Sequence, residues 1–175
     1  MEQSDSVITL RPLEVSDVDH FMAWAADPRV VRYCSWEPYQ SREDAIRYIE
    51  NKVSLHPYYR AICVGGRPVG SISVTRNQGK DTLRGELGYA LAYEYWGRGI
   101  ATEAVKMATQ EAFKERKGEL ERVEALVDVE NPASRRVLEK AGFVREGVLR
   151  KYWKRKGKTR DVVMFSRLFN DRVLP

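Results

Sequence analysis

The stretch Trp96-Gly97-Arg98-Gly99-Ile100-Ala101-Thr102 holds the residue types in this chain best spaced for chemistry. Two glycines where a strand turns into a helix let backbone N–H groups converge on an anion that the helix dipole also favours, which is how a pyrophosphate cradle is built. Such a turn also needs glycine simply for positive φ, so the loop alone leaves ligand and turn equally open. Other reactive side chains are dispersed. Cys34 and Cys63 lie far apart outside any C-x-x-C pattern, and His20 and His56 stand alone. Neither a disulfide framework nor a metal cluster can be assembled from them, so no metal and a reducing compartment are expected.

The elements that must position the loop can be read in order. Val7–Arg11 alternates like a strand stopped by Pro12, and Ser16-Asp17 opens a helix with Val18, Phe21, Met22 and Ala25 on one face, broken by Asp27-Pro28. Ser41 and Asp44 form a capping-box pattern ahead of Ala45, Ile46 and Ile49. Tyr59–Val64 and Val69–Thr75 read as a hairpin around Gly65-Gly66-Arg67-Pro68, and a third strand, Glu86–Leu91, follows the Gln78–Asp81 turn. The loop then leads into a helix with Ala101, Ala104, Val105, Ala108 and Ala112 at helical spacing, followed by a strand at Val123–Val127. Asn131 as cap, Pro132 in the first turn and Gly142 past the end mark a short helix. Strands near Val144–Tyr152 and Thr159–Phe169 flank a Lys156-Gly157 turn. The pattern predicts an α/β (α+β) fold with a mixed, mostly antiparallel central sheet flanked by helices, as a single domain over residues 1–175.

The chain has 175 residues, 43% apolar and 31% charged, with four Trp and nine Tyr, a composition that folds rather than stays disordered. No apolar stretch is long enough for a signal peptide or membrane span, so a soluble, cytoplasmic protein is expected. Net charge is +5, and ten basic residues against Glu146, Asp161 and Asp171 give Val144–Pro175 a charge of +7, leaving about −2 for the rest.

In this context the loop resembles the coenzyme-binding motif of the GNAT superfamily, Gln/Arg-x-x-Gly-x-Gly/Ala, matched by Gly99-Ile100-Ala101 after the strand Glu86–Leu91, with Trp96 in place of Gln/Arg. Tyr95-Trp96-Gly97-Arg98-Gly99-Ile100-Ala101-Thr102-Glu103-Ala104 is similar to the wording of the RimJ/RimL-like branch, which acetylates ribosomal-protein N-termini. The resemblance continues through Asn131–Phe143 and Gly157–Val162, and with Thr9–Pro12 and Asp27-Pro28 it covers nearly the whole chain in order. It implies a GNAT-type domain that transfers acetyl from acetyl-CoA to an amine: a protein N-terminus, a lysine, a polyamine or a small metabolite. It further implies edge-strand amides of Ala90, Leu91 and Ala92 on the pantetheine, Trp96, Gly97, Arg98, Gly99, Ile100, Ala101 and Thr102 around the pyrophosphate, and Asn131 on the pantetheine, where an ordinary N-cap is an equal alternative.

Acetyl transfer needs a proton acceptor for the amine, stabilisation of a tetrahedral oxyanion and a donor for the departing thiolate. The resemblance implies Glu86 as the base, where a solvent-facing strand residue is the alternative, and a strand amide near Leu91 for the oxyanion. The Tyr that serves many family members as acid is replaced by Leu138, and Ser134, one turn into the same helix, resembles the Ser that hydrogen-bonds the thiolate in RimL-like members. Tyr33, Trp36 and Tyr39 fall where the family covers the acetyl group, although aromatic core packing explains them as well. The basic Arg150–Arg160 cluster is either a solvated hairpin or a docking face for the coenzyme 3′-phosphate, a ribosome or another acidic partner. Two other readings remain. Gly97-x-Gly99 with Asp128 ending the next strand imitates a dinucleotide fingerprint but lacks its third glycine, and a non-catalytic coenzyme-binding or RNA-binding module would share the cradle without turnover.

Overall fold

A computed structural model describes residues 7–115 and 119–171. Seven strands form one sheet: β1 (Ile8–Pro12), β2 (Tyr59–Val64), β3 (Arg67–Arg76), β4 (Arg84–Leu91), β5 (Arg122–Asp128), β6 (Val144–Arg155) and β7 (Lys158–Leu168), in the spatial order β1-β2-β3-β4-β5-β7-β6. Strands β4 and β5 run parallel, whereas the pairs β1–β2, β2–β3, β5–β7 and β6–β7 are antiparallel. This is the mixed, mostly antiparallel sheet expected. The helices are α1 (Val18–Ala25), α2 (Pro28–Val31), α3 (Arg42–Tyr48), α4 (Ile100–Glu115) and α5 (Pro132–Lys140). The chain divides into two compact units, Met1–Ser73 with Tyr89–Ala104 and Val74–Gly88 with Val105–Pro175.

In the first unit, α1 buries Val18, Phe21, Trp24 and Ala25, and each large side chain contributes about 1.5–3 kcal/mol by leaving water. Asp27-Pro28 does more than break that helix. Asp27 accepts from the Arg29 amide at 2.9 Å and Pro28 occupies the first turn, so the pair caps α2. Ser41 caps α3, whose last turn runs into a π-helical stretch at Ile49–Val53 that places Ile49 and Val53 in the core. Strands β2 and β3 turn through Gly65-Gly66, both at positive φ. Arg67 and Pro68, expected in the connection, belong to β3, and Pro68 pairs Cys63 beside a register shift, where a missing N–H is tolerated.

The second unit is built on β5, which pairs β7 from Arg122↔Leu168 to Asp128↔Val162, and on the long hairpin β6–β7. Chain order does not match spatial order here, because β7 rather than β6 lies against β5. The hairpin turns at Lys156-Gly157, both at positive φ. Asn131 caps α5, and Gly142, at φ +84, ends it, with Phe143 N donating to Leu138 O at 3.0 Å and Gly142 N to Glu139 O at 3.1 Å, a Schellman closure.

One glycine of the first unit allows a close backbone approach. A Cβ on Gly70 of β3 would stand 2.4 Å from the Ala90 carbonyl oxygen of β4. Gly70→Ala should therefore destabilise the fold by about 1–3 kcal/mol in urea denaturation, whereas Gly147→Ala, with open space around the added methyl, should change it by less than about 0.5 kcal/mol.

Candidate active site

The loop between β4 and α4 belongs to the first unit. Leu91 ends β4, Tyr93–Tyr95 make one 3-10 turn, and the Trp96 indole N–H folds back to donate to the Leu91 carbonyl at 2.7 Å. The Trp96 amide donates to Tyr93 O at 3.1 Å. Both N–H groups of Trp96 are thus used inside the loop, where they fix its shape. Gly97 and Gly99 stand at φ +74 and +78, a conformation that disfavours any residue with a Cβ, and the space a Cβ would enter is open at each. The first α4 hydrogen bond runs from Glu103 N to Gly99 O, which leaves the amides of Ile100, Ala101 and Thr102 without an intrahelical acceptor. Ile100 and Thr102 are buried, Ala101 is half-buried, and Arg98 is exposed with its guanidinium carbon 5.2 Å from the Tyr95 ring. Ala101, expected on the core face with Ala104, Val105, Ala108 and Ala112, is the one of that set that is not buried. These groups fit a bound diphosphate.

The expected edge-strand amides need a correction. Strand β4 lies inside the sheet, between β3 and β5. It gains a free edge in another way, because the parallel register covers Arg84↔Arg122, Gly85↔Val123 and Glu86↔Glu124 and then ends, so Leu87 and Gly88 take no partner from β5. Ala92 is unavailable as a donor, since its amide is held by Val69 O at 2.8 Å. Ala90 and Leu91 remain as candidates. Trp36 and Tyr39 pack against the core of the first unit, Tyr39 edge-on to Phe21 at 5.6 Å, and Tyr33 has the Arg32 guanidinium 5.2 Å over its ring. Burial pushes the Tyr39 phenol up to about 12, with Tyr48 and Asp44 adding to it, so it stays neutral in ordinary buffers. The Trp36 indole N–H is buried with no hydrogen-bond partner, a donor unspent by the fold.

Glu86, Asn131 and Ser134 belong to the second unit. Asn131 Oδ1 accepts from the Ser134 amide at 3.1 Å while its Nδ2 donates to Ser134 Oγ at 3.2 Å. The N-cap alternative for Asn131 is therefore realised, and the same contact orients the serine hydroxyl. Glu86 presents surface to solvent, yet protein crowds its carboxyl enough that desolvation raises its pKa. The Glu124 carboxylate raises it further and the Arg155 guanidinium opposes both.

The family of this chain follows from comparison with known proteins. The model of the acetyltransferase (GNAT) domain matches residues 8–144. A Bacillus licheniformis protein named uncharacterized N-acetyltransferase p20 is 32% identical over 92% of both chains. The chain belongs to the GNAT acetyltransferases. A GNAT-family acetyltransferase from Bacillus anthracis shares the fold with a TM-score of 0.83 at 24% identity, over 94% of this chain and 96% of the other. RimL, the ribosomal L7/L12 α-N-protein acetyltransferase solved with coenzyme A, shares it at 0.78 and 23%, over 92% and 93%.

Family membership removes the dinucleotide alternative, and so does Asp128. A ribose-binding acid would have to be open to ligand, but Arg160 grips Asp128 through Nε at 2.6 Å and NH2 at 2.9 Å and reaches Glu130 at 2.5 Å. Asp128 also accepts from the Glu130 amide, so the clamp fixes the connection from β5 into the Asn131 cap. Nothing in the sequence marks this pairing across 32 positions. The hairpin is accordingly not all solvated charge: Arg160 is structural, and Arg155, 3.3 Å over the Trp153 ring, acts on Glu86. Among the described residues no helix is long and apolar enough to cross a membrane, and no cluster of three potential metal ligands occurs. Replacing Asn131 with Ala should lower stability by about 1 kcal/mol in thermal denaturation, and Asn131→Asp, which keeps the accepting oxygen, should recover most of it.

Proposed function

We propose that this chain is an acetyl-CoA-dependent N-acetyltransferase of the RimJ/RimL-like kind, working as one domain over residues 1–175. The observation that carries the proposal is the cradle: two positive-φ glycines with open space beside them, followed by helix amides without acceptors. Backbone amides suit a diphosphate because they are already ordered by the fold and cost no side-chain entropy on binding. The Gly97–Thr102 segment would hold the diphosphate, and Ala90 and Leu91 would meet the pantetheine.

Glu86 would take the proton from the incoming ammonium, directly or through water. The freed lone pair forms the N–C bond to the thioester carbonyl, whose oxygen becomes an oxyanion facing the Leu91 amide. Collapse breaks the C–S bond as the second proton of the attacking nitrogen passes, directly or through water, to the departing thiolate, and Ser134, oriented by Asn131, would donate its hydroxyl hydrogen bond to that sulfur. A raised pKa suits Glu86 to this work, because a base poised nearer neutrality holds its proton more strongly once it has taken it. The acceptor is a primary amine, either a protein N-terminus or a small-molecule amine, and Tyr33, Trp36 and Tyr39 are proposed to line its pocket. Lys151, Lys154 and Lys158 of the hairpin are exposed and make no ion pair among the described residues, which supports an acidic or ribosomal partner at that face.

Two variants test the reading. Ala101→Glu puts an acid in the first turn of α4, where the helix dipole tolerates it but a diphosphate does not. It should keep the melting temperature and weaken acetyl-CoA binding in calorimetric titration by about tenfold or more, corresponding to about 1.4 kcal/mol. Glu86→Gln should bind acetyl-CoA as the parent does and lose roughly 10²–10⁴ in kcat/KM for an amine acceptor. Unchanged affinity in Ala101→Glu would remove the cradle, and a parent that binds acetyl-CoA but acetylates no amine in a broad panel would be a binding module.

A further inference from the structure

Glu86 and Glu124 are register partners on the parallel strands β4 and β5, and Arg84 and Arg122 are partners two residues earlier. Parallel partners project to the same face from strands about 4.8 Å apart, and residues two apart share a face, so like charges are stacked on like across both rungs. Directly opposed like charges destabilise a sheet, and a strand pair shaped for stability alone would alternate their signs.

The arginines do not treat the two acids alike. Arg122 Nε donates to Glu124 at 2.9 Å, and Arg84 lies 3.9 Å from its other oxygen. Arg122 also grips Glu146 of β6 with both terminal nitrogens at 2.7 Å, and Ser166 Oγ of β7 donates to Glu146 at 2.5 Å. Arg84 is further tied to Asp81 at 3.0 Å. Glu124 is 7% exposed and fixed by this network. Glu86 has no ion-pair partner among the described residues, and the charged groups acting on it from other strands are Glu124 of β5 and Arg155 of β6.

We propose that Glu124 is a positioning residue for acetyl transfer: a buried, arginine-pinned carboxylate whose fixed negative charge sits across from Glu86 and makes it a stronger proton acceptor. The proposal rests on the reading of Glu86 as the base. Pinning matters because a mobile carboxylate would swing away from its neighbour, whereas Glu124 is held where its field is felt. Arg155, at the end of β6 beside the hairpin turn, opposes the effect. The sign follows directly. Burial already lifts the Glu86 midpoint above that of an isolated carboxyl and the negative neighbour lifts it further, so neutralising Glu124 must move that midpoint down.

The test uses protein labelled with 13C at the glutamate carboxyls, with the Glu86 signal assigned by its loss in Glu86→Gln. In Glu124→Gln, and equally in Glu124→Met, which removes the charge without burying an amide, the Glu86 midpoint should fall toward the ordinary carboxyl range. Glu124→Asp, which keeps the charge, should restore most of the parent value. The acid limb of kcat/KM should move down with it, since the titration of the acceptor amine itself is common to all variants. A folded Glu124→Gln or Glu124→Met with an unmoved Glu86 midpoint overturns the proposal. A midpoint that falls while the acid limb stays in place upholds the charge effect and overturns the role of Glu86 as base, which keeps the two claims separable.

Discussion

The hydrogen bond from the Trp96 indole to the Leu91 carbonyl fixes how β4 ends in the loop that leads into α4. Leu91 is the last residue of β4, and its carbonyl, buried with the strand, needs a donor. Trp96 supplies it from five residues on, and the 3-10 turn at Tyr93–Tyr95 takes up the chain between them. The geometry leaves Gly97 and Gly99 to make the reversal into α4 at positive φ, so the first amides of the helix are presented together. Close contact with β3 completes the support, through Ala92 N to Val69 O and through the missing side chain of Gly70 beneath Ala90. The substitution of Trp for the family's Gln/Arg is thereby explained as an internal support of the loop.

The second unit is held by arginines spanning strands. Arg122 joins Glu124 to Glu146, and Arg160 joins Asp128 to Glu130. The guanidinium hydrogen bonds push the Glu146 carboxyl down to about 2, so it remains ionised and bound across the range in which a transferase would work. These clamps spend carboxylates and cations on each other, and what they leave over is informative: among the described residues, Glu86 without an ion-pair partner on one strand, and exposed lysines on the hairpin. A basic sequence segment thus separates into structural and unspent charge only once its partners are known.

Periodicity and capping made most elements legible. The helix from Pro132 to Lys140 was fully specified by Asn131, Pro132 and Gly142, because caps act within one turn of chain. The capping pattern at Ser41 and the glycine turns at Gly65-Gly66 and Lys156-Gly157 were legible for the same reason. Asp27-Pro28 misled in part, since the signal that ends one helix is chemically the one that begins another. Partnerships between strands were not legible at all. Alternation tells which residues share a face, but not that Glu86 meets Glu124, that β7 lies inside β6, or that Arg160 holds Asp128. The glycine loop could be found from local spacing, whereas the charges acting on Glu86 come from two other strands, β5 and β6.

In the proposed function the coenzyme is received by backbone amides that this fold leaves unspent. Amide hydrogen exchange, followed residue by residue with and without acetyl-CoA, tests it most directly. Binding should slow exchange at Ile100, Ala101 and Thr102, while the Ala92 and Trp96 amides, already bonded to Val69 O and Tyr93 O, should change little. Saturation with acetyl-CoA that leaves Ile100–Thr102 exchanging as in the free protein, with protection gathered elsewhere, would contradict the account.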